Sequence, residues 1–190
     1  MSTQAVPKSD ATLNLASLLG GGLDIYEVED EGLLTPNDDL LDADGLRLSK
    51  PLSWHLTVRS TGGDDDFILE GETSGTALLE CRRCLDEAVA EVRSSFIYPM
   101  IYRPGTEGLV LLENDADEED TLQFGKPEVD FAPLITQLFA IDVPLTALCK
   151  ETCLGLSPDG VNLNEHPDHV SGEQATSSAS PFEALKDFEV

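Results

Sequence analysis

One hundred and ninety residues make one domain, or one domain with tails, and 41% apolar residues suffice for a core although aromatics supply only 6%. Thirty-seven Asp and Glu face eleven Lys and Arg, a formal charge of -26, so the chain repels polyanions. Extensive direct contact with RNA, DNA or an anionic membrane surface is disfavoured, and the expected charged partner is a basic protein. No apolar run approaches the ~20 residues that span a bilayer, and the opening MSTQAVPKSD has no apolar run like that of a signal peptide. The expected location is cytoplasmic, where four cysteines are reduced thiols or metal ligands and not a disulfide framework.

In chain order, residues 1–22 read as an N-terminal segment, partly flexible, that ends in a hinge at Gly20, Gly21 and Gly22. A β-rich domain is expected over residues 23–164. Its first stretch, Asp24 to Asp44, is acidic throughout and contains no Lys or Arg, the pattern of solvated loop or weakly ordered chain. Apolar positions such as Tyr26, Val28, Leu33 and Leu34 predict that parts of it dock as short strands or turns. Leu52, Trp54, Leu56 and Val58 then alternate with polar neighbours, Thr61, Gly62 and Gly63 turn the chain, and Phe67, Ile68 and Leu69 begin the return of a hairpin.

Ala77, Leu79 and Cys81 lead into a turn. Beyond it, Ala88, Ala90, Val92, Phe96, Tyr98 and Met100 share one face of a long half-buried strand, with Pro99 breaking it or placing it at an edge. The segment Cys81 to Asp86 therefore sits at a hairpin tip. An acidic loop is expected over 113–120. Asp130 reads as an N-cap and Pro133 fits a first turn, and Phe131, Leu134, Ile135, Leu138 and Phe139 form the stripe of an amphipathic helix that ends before Pro144. Residues 165–190 read as a flexible tail. The predicted architecture is α+β, a mainly antiparallel β core with one principal amphipathic helix.

Cys81 and Cys84 enclose two arginines, and Cys149 and Cys153 enclose three residues. Two closely spaced pairs, one in a tight turn, suit a tetrahedral zinc site, since each pair presents two thiolates to one ion. The long gap between them is no obstacle, because loop-closure entropy grows only logarithmically with length. The alternative is two unrelated pairs without metal. A redox role is less well supported: Arg82 and Arg83 would depress thiol pKa values, but a thioredoxin-like CxxC opens a helix, whereas this one closes a hairpin.

His166 and His169 are candidates to complete a metal site with the late cysteines, or are solvated tail residues. Arg82 and Arg83 are adjacent cations, candidates for binding a phosphate or an acidic residue, or for pairing with the chain's own carboxylates. There is no phosphate-binding Gly-rich loop, GxSxG or HExxH, so a non-enzymatic protein is expected.

The ordered set of features resembles the YceD family, the large ribosomal RNA subunit accumulation proteins. It comprises the Cys-x-Arg-Cys-Leu tip (Cys81, Arg83, Cys84, Leu85), an outgoing strand, an acidic loop, an amphipathic helix opening with Asp, and the Pro-Leu segment from Val143 to Leu145. The second cysteine group and the Asn162-Leu163-Asn164 run follow, and Pro181, Phe182, Ala184 and Leu185 are similar to a terminal motif of some members. The family's fuller form carries two further cysteines after the second pair; this sequence has Ser157 at one position and lacks a residue at the other. The resemblance implies a non-enzymatic ribosome-biogenesis factor needed for accumulation or processing of large-subunit ribosomal RNA. With the charge of -26, the expected partner is a basic large-subunit ribosomal protein or assembly intermediate. The weaker alternatives are an acidic nucleic-acid mimic and a CxxC thiol oxidoreductase.

Overall fold

The computed structural model describes residues 10–20, 26–36, 47–63, 65–113 and 120–171. In chain order its elements are β1 (Thr12–Asn14), α1 (Ala16–Leu19), β2 (Glu27–Leu34), β3 (Arg47–Leu48), β4 (Leu52–Ser60), β5 (Asp66–Glu80) and β6 (Glu87–Tyr102). Then come β7 (Leu109–Leu112), β8 (Thr121–Phe124), β9 (Glu128–Asp130) and α2 (Ala132–Asp142). Most of the expected acidic loop, the hinge glycines Gly21 and Gly22, and the tail beyond residue 171 lie outside the described residues.

The α+β expectation is corrected here. Strands account for 49% of the structure and helices for 11%, and the seven-stranded sheet is mixed. Its order is β2-β4-β5-β6-β8-β7, with β3 pairing β5 off this path. Two things hid this from the sequence. The stripe of α2 gave one short helix undue weight, and the acidic stretch after Asp24 contains a full strand, β2, paired with β4 from Glu27 opposite Arg59 to Leu34 opposite Leu52. The parallel pair, Met100–Tyr102 against Leu122–Phe124, arises because the chain leaves β6, passes to the outer position as β7, and returns between the two as β8.

The β5–β6 hairpin dominates the fold. Its ladder runs unbroken from Asp66 opposite Ile101 to Glu80 opposite Glu87, and β4 covers only Phe67 to Ser74 of β5. The remainder projects as an arm, supported by β3 against Ala77 and Leu78, and carries the cysteine tip at its end. Pro99 does not break β6. The Tyr102 N–H donates to Asp65 O, and bonding alternates along an antiparallel ladder. Pro99 therefore falls in a non-bonded pair with Ile68, its nitrogen facing the side where β8 has not yet begun.

Alternation supplies the core. Leu52, Trp54, Leu56 and Val58 are all buried, and Phe67, Leu69 and Met100 meet Leu122 and Phe124 from β8. Helix α2 lies across this face with Leu134, Ile135 and Phe139 buried. Phe131 occupies the cap position, and Asp130 accepts from the Ala132 N–H at 2.9 Å. Gly75 makes room for the helix: a Cβ there would lie 2.4 Å from Leu52 Cδ2 and 3.1 Å from Phe139. Near the N-terminus, Ala11, Leu13, Leu15 and Leu18 are buried in the same core, and β1 pairs with β9 at the foot of α2.

Candidate metal centre

The hairpin tip is built by local bonds. Cys81 N–H donates to Asp86 O and Leu85 N–H to Cys81 O, and the turn needs a positive φ of 65° at Leu85. After α2 the chain returns along this tip. Cys81 pairs with Ala147 in a parallel bridge, Arg82 N–H donates to Ala147 O, and Leu156 N–H donates to Arg83 O. The late segment thus docks against the arm through main-chain bonds, and Cys149 and Cys153 arrive beside Cys81 and Cys84.

The four sulfurs all lie within 4.8 Å of one another. Cys81 Sγ is 3.8 Å from Cys153 Sγ, and Cys84 Sγ is 3.5 Å from Cys149 Sγ. A disulfide needs ~2.05 Å, so these are free thiols. Four thiolates at ~2.3 Å around a tetrahedral zinc sit roughly 3.8 Å apart, and the observed spacings are of that order. Cys81, Cys84 and Cys153 are buried and Cys149 is half-buried. With Ala88 and Ala147 they form a small apolar cluster separate from the main core.

Main-chain donors and one side-chain amide favour the anionic form of two of the thiols. The Cys149 backbone N–H, helped by those of Cys84 and Arg83, holds Cys81 down at about 6 against burial. Cys153 is opposed by burial but lowered by the Asn164 side-chain amide and the Gly155 N–H. Burial pushes Cys84 and Cys149 up. Cys81, Cys84, Cys149 and Cys153 would hold a divalent cation of high thiolate affinity, whose charge would let all four ionise together.

Arg82 and Arg83 brace the site. Arg82 Nη2 donates to Leu145 O at 3.2 Å and Arg83 Nη1 to Cys153 O at 2.9 Å. Both guanidiniums thus reach carbonyls of the late segment. His166 and His169 are not part of the sulfur group, the one cluster among the described residues that could hold a metal; His169 Nε2 lies 2.7 Å from Asp159 Oδ2. His55, on β4, meets Glu29.

Sequence reasoning gave no role to Asn162 and Asn164, although their Asn-Leu-Asn run was visible. Asn162 Nδ2 donates to Asp86 Oδ2 at 2.7 Å, which ties the late segment to the hairpin tip. Asn164 Nδ2 donates to Cys153 Sγ at 3.3 Å while its Oδ1 accepts from Leu154 N–H at 3.0 Å. Ser157, standing where the fuller family pattern has cysteine, organises a turn instead. Its hydroxyl donates to Asp159 Oδ1 and accepts from Val161 N–H, and Ser171 donates to the same carboxylate.

The architecture defines a mostly β protein whose long hairpin and late segment bring four thiols together. The family profile described as large ribosomal RNA subunit accumulation protein YceD matches residues 69–189. The chain belongs to this family. The matched region begins in β5 and takes in the hairpin tip, α2 and the late cysteine segment. No curated protein and no solved structure matches the chain.

Proposed function

We propose that this chain is a non-enzymatic, cytoplasmic assembly factor that supports accumulation of large-subunit ribosomal RNA by holding a basic large-subunit ribosomal protein, and that its four cysteines bind one structural zinc. The charge of -26, in a family whose description concerns a polyanion, is the observation that carries the partner assignment. An acidic chain meets a cationic protein by electrostatic steering, keeps it soluble, and yields it to RNA, the stronger polyanion. Four thiolates leave no open position for water or substrate, which supports a structural over a catalytic metal.

The test is retention of purified large-subunit ribosomal proteins on the immobilised chain across a salt series. Retention of basic members that falls steeply as salt rises is expected; tight binding of naked ribosomal RNA at physiological salt overturns the proposal. For the metal, protein purified without chelator is expected to carry one zinc per chain, lost in Cys81→Ser, and none in the wild type rejects the site.

A second reading, nucleic-acid mimicry, is favoured by one feature. Glu27, Glu29 and Glu31 stand exposed on one face of the ordered strand β2, about 6.7 Å apart along it. Arg59 and His55 on β4 engage Glu27 and Glu29, however, which leaves the row less anionic than a phosphate backbone. A mimic would compete with DNA for many unrelated basic proteins, whereas the assembly factor is expected to select among large-subunit proteins.

A further inference from the structure

The four sulfurs belong to two segments, and their contacts run from one segment to the other. Cys81 Sγ meets Cys153 Sγ at 3.8 Å, and Cys84 Sγ meets Cys149 Sγ at 3.5 Å. The backbone on both sides is already tied together: Arg82 N–H donates to Ala147 O, Leu156 N–H to Arg83 O, and Arg83 Nη1 to Cys153 O. Closing either gap to a bond of ~2.05 Å asks the paired sulfurs to approach by less than ~2 Å, an adjustment of side-chain torsions. Access differs among the four. Cys81, Cys84 and Cys153 are buried beside Ala88, whereas Cys149 is half-buried. An oxidant from solvent therefore reaches Cys149 first, and Cys84 is in contact with it.

We propose that this centre is a redox-responsive clasp: in the absence of metal, hydrogen peroxide joins Cys149 to Cys84 and then Cys153 to Cys81, and the two disulfides hold the late segment to the hairpin arm in place of an ion. The inference rests on the metal reading in one respect, that ion and disulfides compete for the same sulfurs. Pairing within each segment, Cys81 with Cys84 and Cys149 with Cys153, would instead leave the two segments without a covalent link.

The Cys149 sulfur attacks one peroxide oxygen. An S–O bond forms, the O–O bond breaks, and the departing oxygen leaves as water, which converts the thiol to a sulfenic acid. The Cys84 sulfur then attacks the Cys149 sulfur; the S–S bond forms and the S–O bond breaks with loss of a second water. Each disulfide thus takes two electrons and two protons from two thiols and consumes one peroxide. A small dithiol reverses the step by exchange, in keeping with the transient, redox-sensing character of most cytosolic disulfides.

In the test, the full chain is stripped of metal by a chelator under reducing conditions, freed of both reagents, and treated with hydrogen peroxide. It is then alkylated in denaturant and digested with trypsin. Cuts after Arg82, Arg83 and Lys150 place each cysteine on its own peptide, so mass spectrometry reads the pairing directly. Cys84–Cys149 is expected first and Cys81–Cys153 after it, together about tenfold more abundant than pairs within a segment. Cys84→Ser is expected to leave Cys149 open to sulfinic acid formation while Cys81 and Cys153 still pair. A majority of pairs within the segments, of disulfides between chains, or of unpaired thiols overturns the proposal. Hydrogen exchange reads the clasp itself: the Arg82 and Leu156 amides are expected to exchange about tenfold more slowly in the oxidised metal-free chain than in the reduced metal-free chain, and equal rates overturn it. Metal content decides the zinc reading separately. Pairs between the segments in a chain that never carries zinc leave the clasp standing and remove the zinc site, whereas bound zinc with pairing only within the segments does the reverse.

Discussion

Asn164 shows how a neutral side chain serves a thiolate. Its amide donates to Cys153 Sγ and its carbonyl fixes Leu154 N–H, so it is placed to orient one of the proposed zinc ligands and to stabilise that sulfur's charge. Such supporting contacts typically alter metal affinity by roughly 10–100-fold. Asn164→Ala is expected to weaken zinc retention by that order in a chelator competition, with Asn164→Asp weaker still because it sets a second negative charge against the sulfur. Asp159 provides a pH test. The Ser157 hydroxyl and then His169 hold its carboxyl at about 2. A carboxyl depressed by folding stabilises in full above its unfolded value, ~3.9, and its contribution disappears as pH falls through the folded value. NMR titration of Asp159 is expected to place its midpoint near 2, and Ser157→Ala is expected to move it upward. The four cysteines were legible as a set because their spacing is chemical. The asparagines were not, because a side-chain bond to sulfur has no fixed offset in sequence.

At the scale of elements, the β5–β6 hairpin and α2 carry different burdens. The hairpin reaches out with the tip, and α2 closes the core over its base. Phe139 is fully buried and packs where Gly75 leaves space. Phe139→Ala is therefore expected to cost about 3–5 kcal/mol, read as a lower denaturation midpoint at unchanged slope. Leu145→Ala, at a side chain 91% exposed, is expected to leave the midpoint nearly unchanged. The hairpin and the helix stripe were readable from periodicities of two and 3.6. Strand β2 was concealed because Val28, Asp30, Gly32 and Leu34 face inward while Glu27, Glu29 and Glu31 face outward, and only Gly32 and Leu34 are fully buried. Acidic composition masked a real alternation. The parallel pairing of β8 with β6 had no local signal, since it depends on where a returning strand finds an open edge.

Across the whole molecule, charge and cysteine chemistry divide the work. Main-chain bonds dock the thiol-bearing tip of a long hairpin against a segment more than sixty residues later in the chain, and on the proposed function the acidic composition sets what the protein meets. Zinc binding at such a cluster adds its binding free energy to folding, so the arm and the late segment are expected to loosen together when metal is removed. On the function proposed above, the charge of -26 places RNA at one remove. The decisive measurement follows a preformed complex of the chain with purified basic large-subunit proteins, to which large-subunit ribosomal RNA is added while the partition of all three components is followed by sedimentation. The account predicts that the basic protein transfers to the RNA and the chain is released free. A chain that sediments with the RNA when no basic protein is present would contradict it.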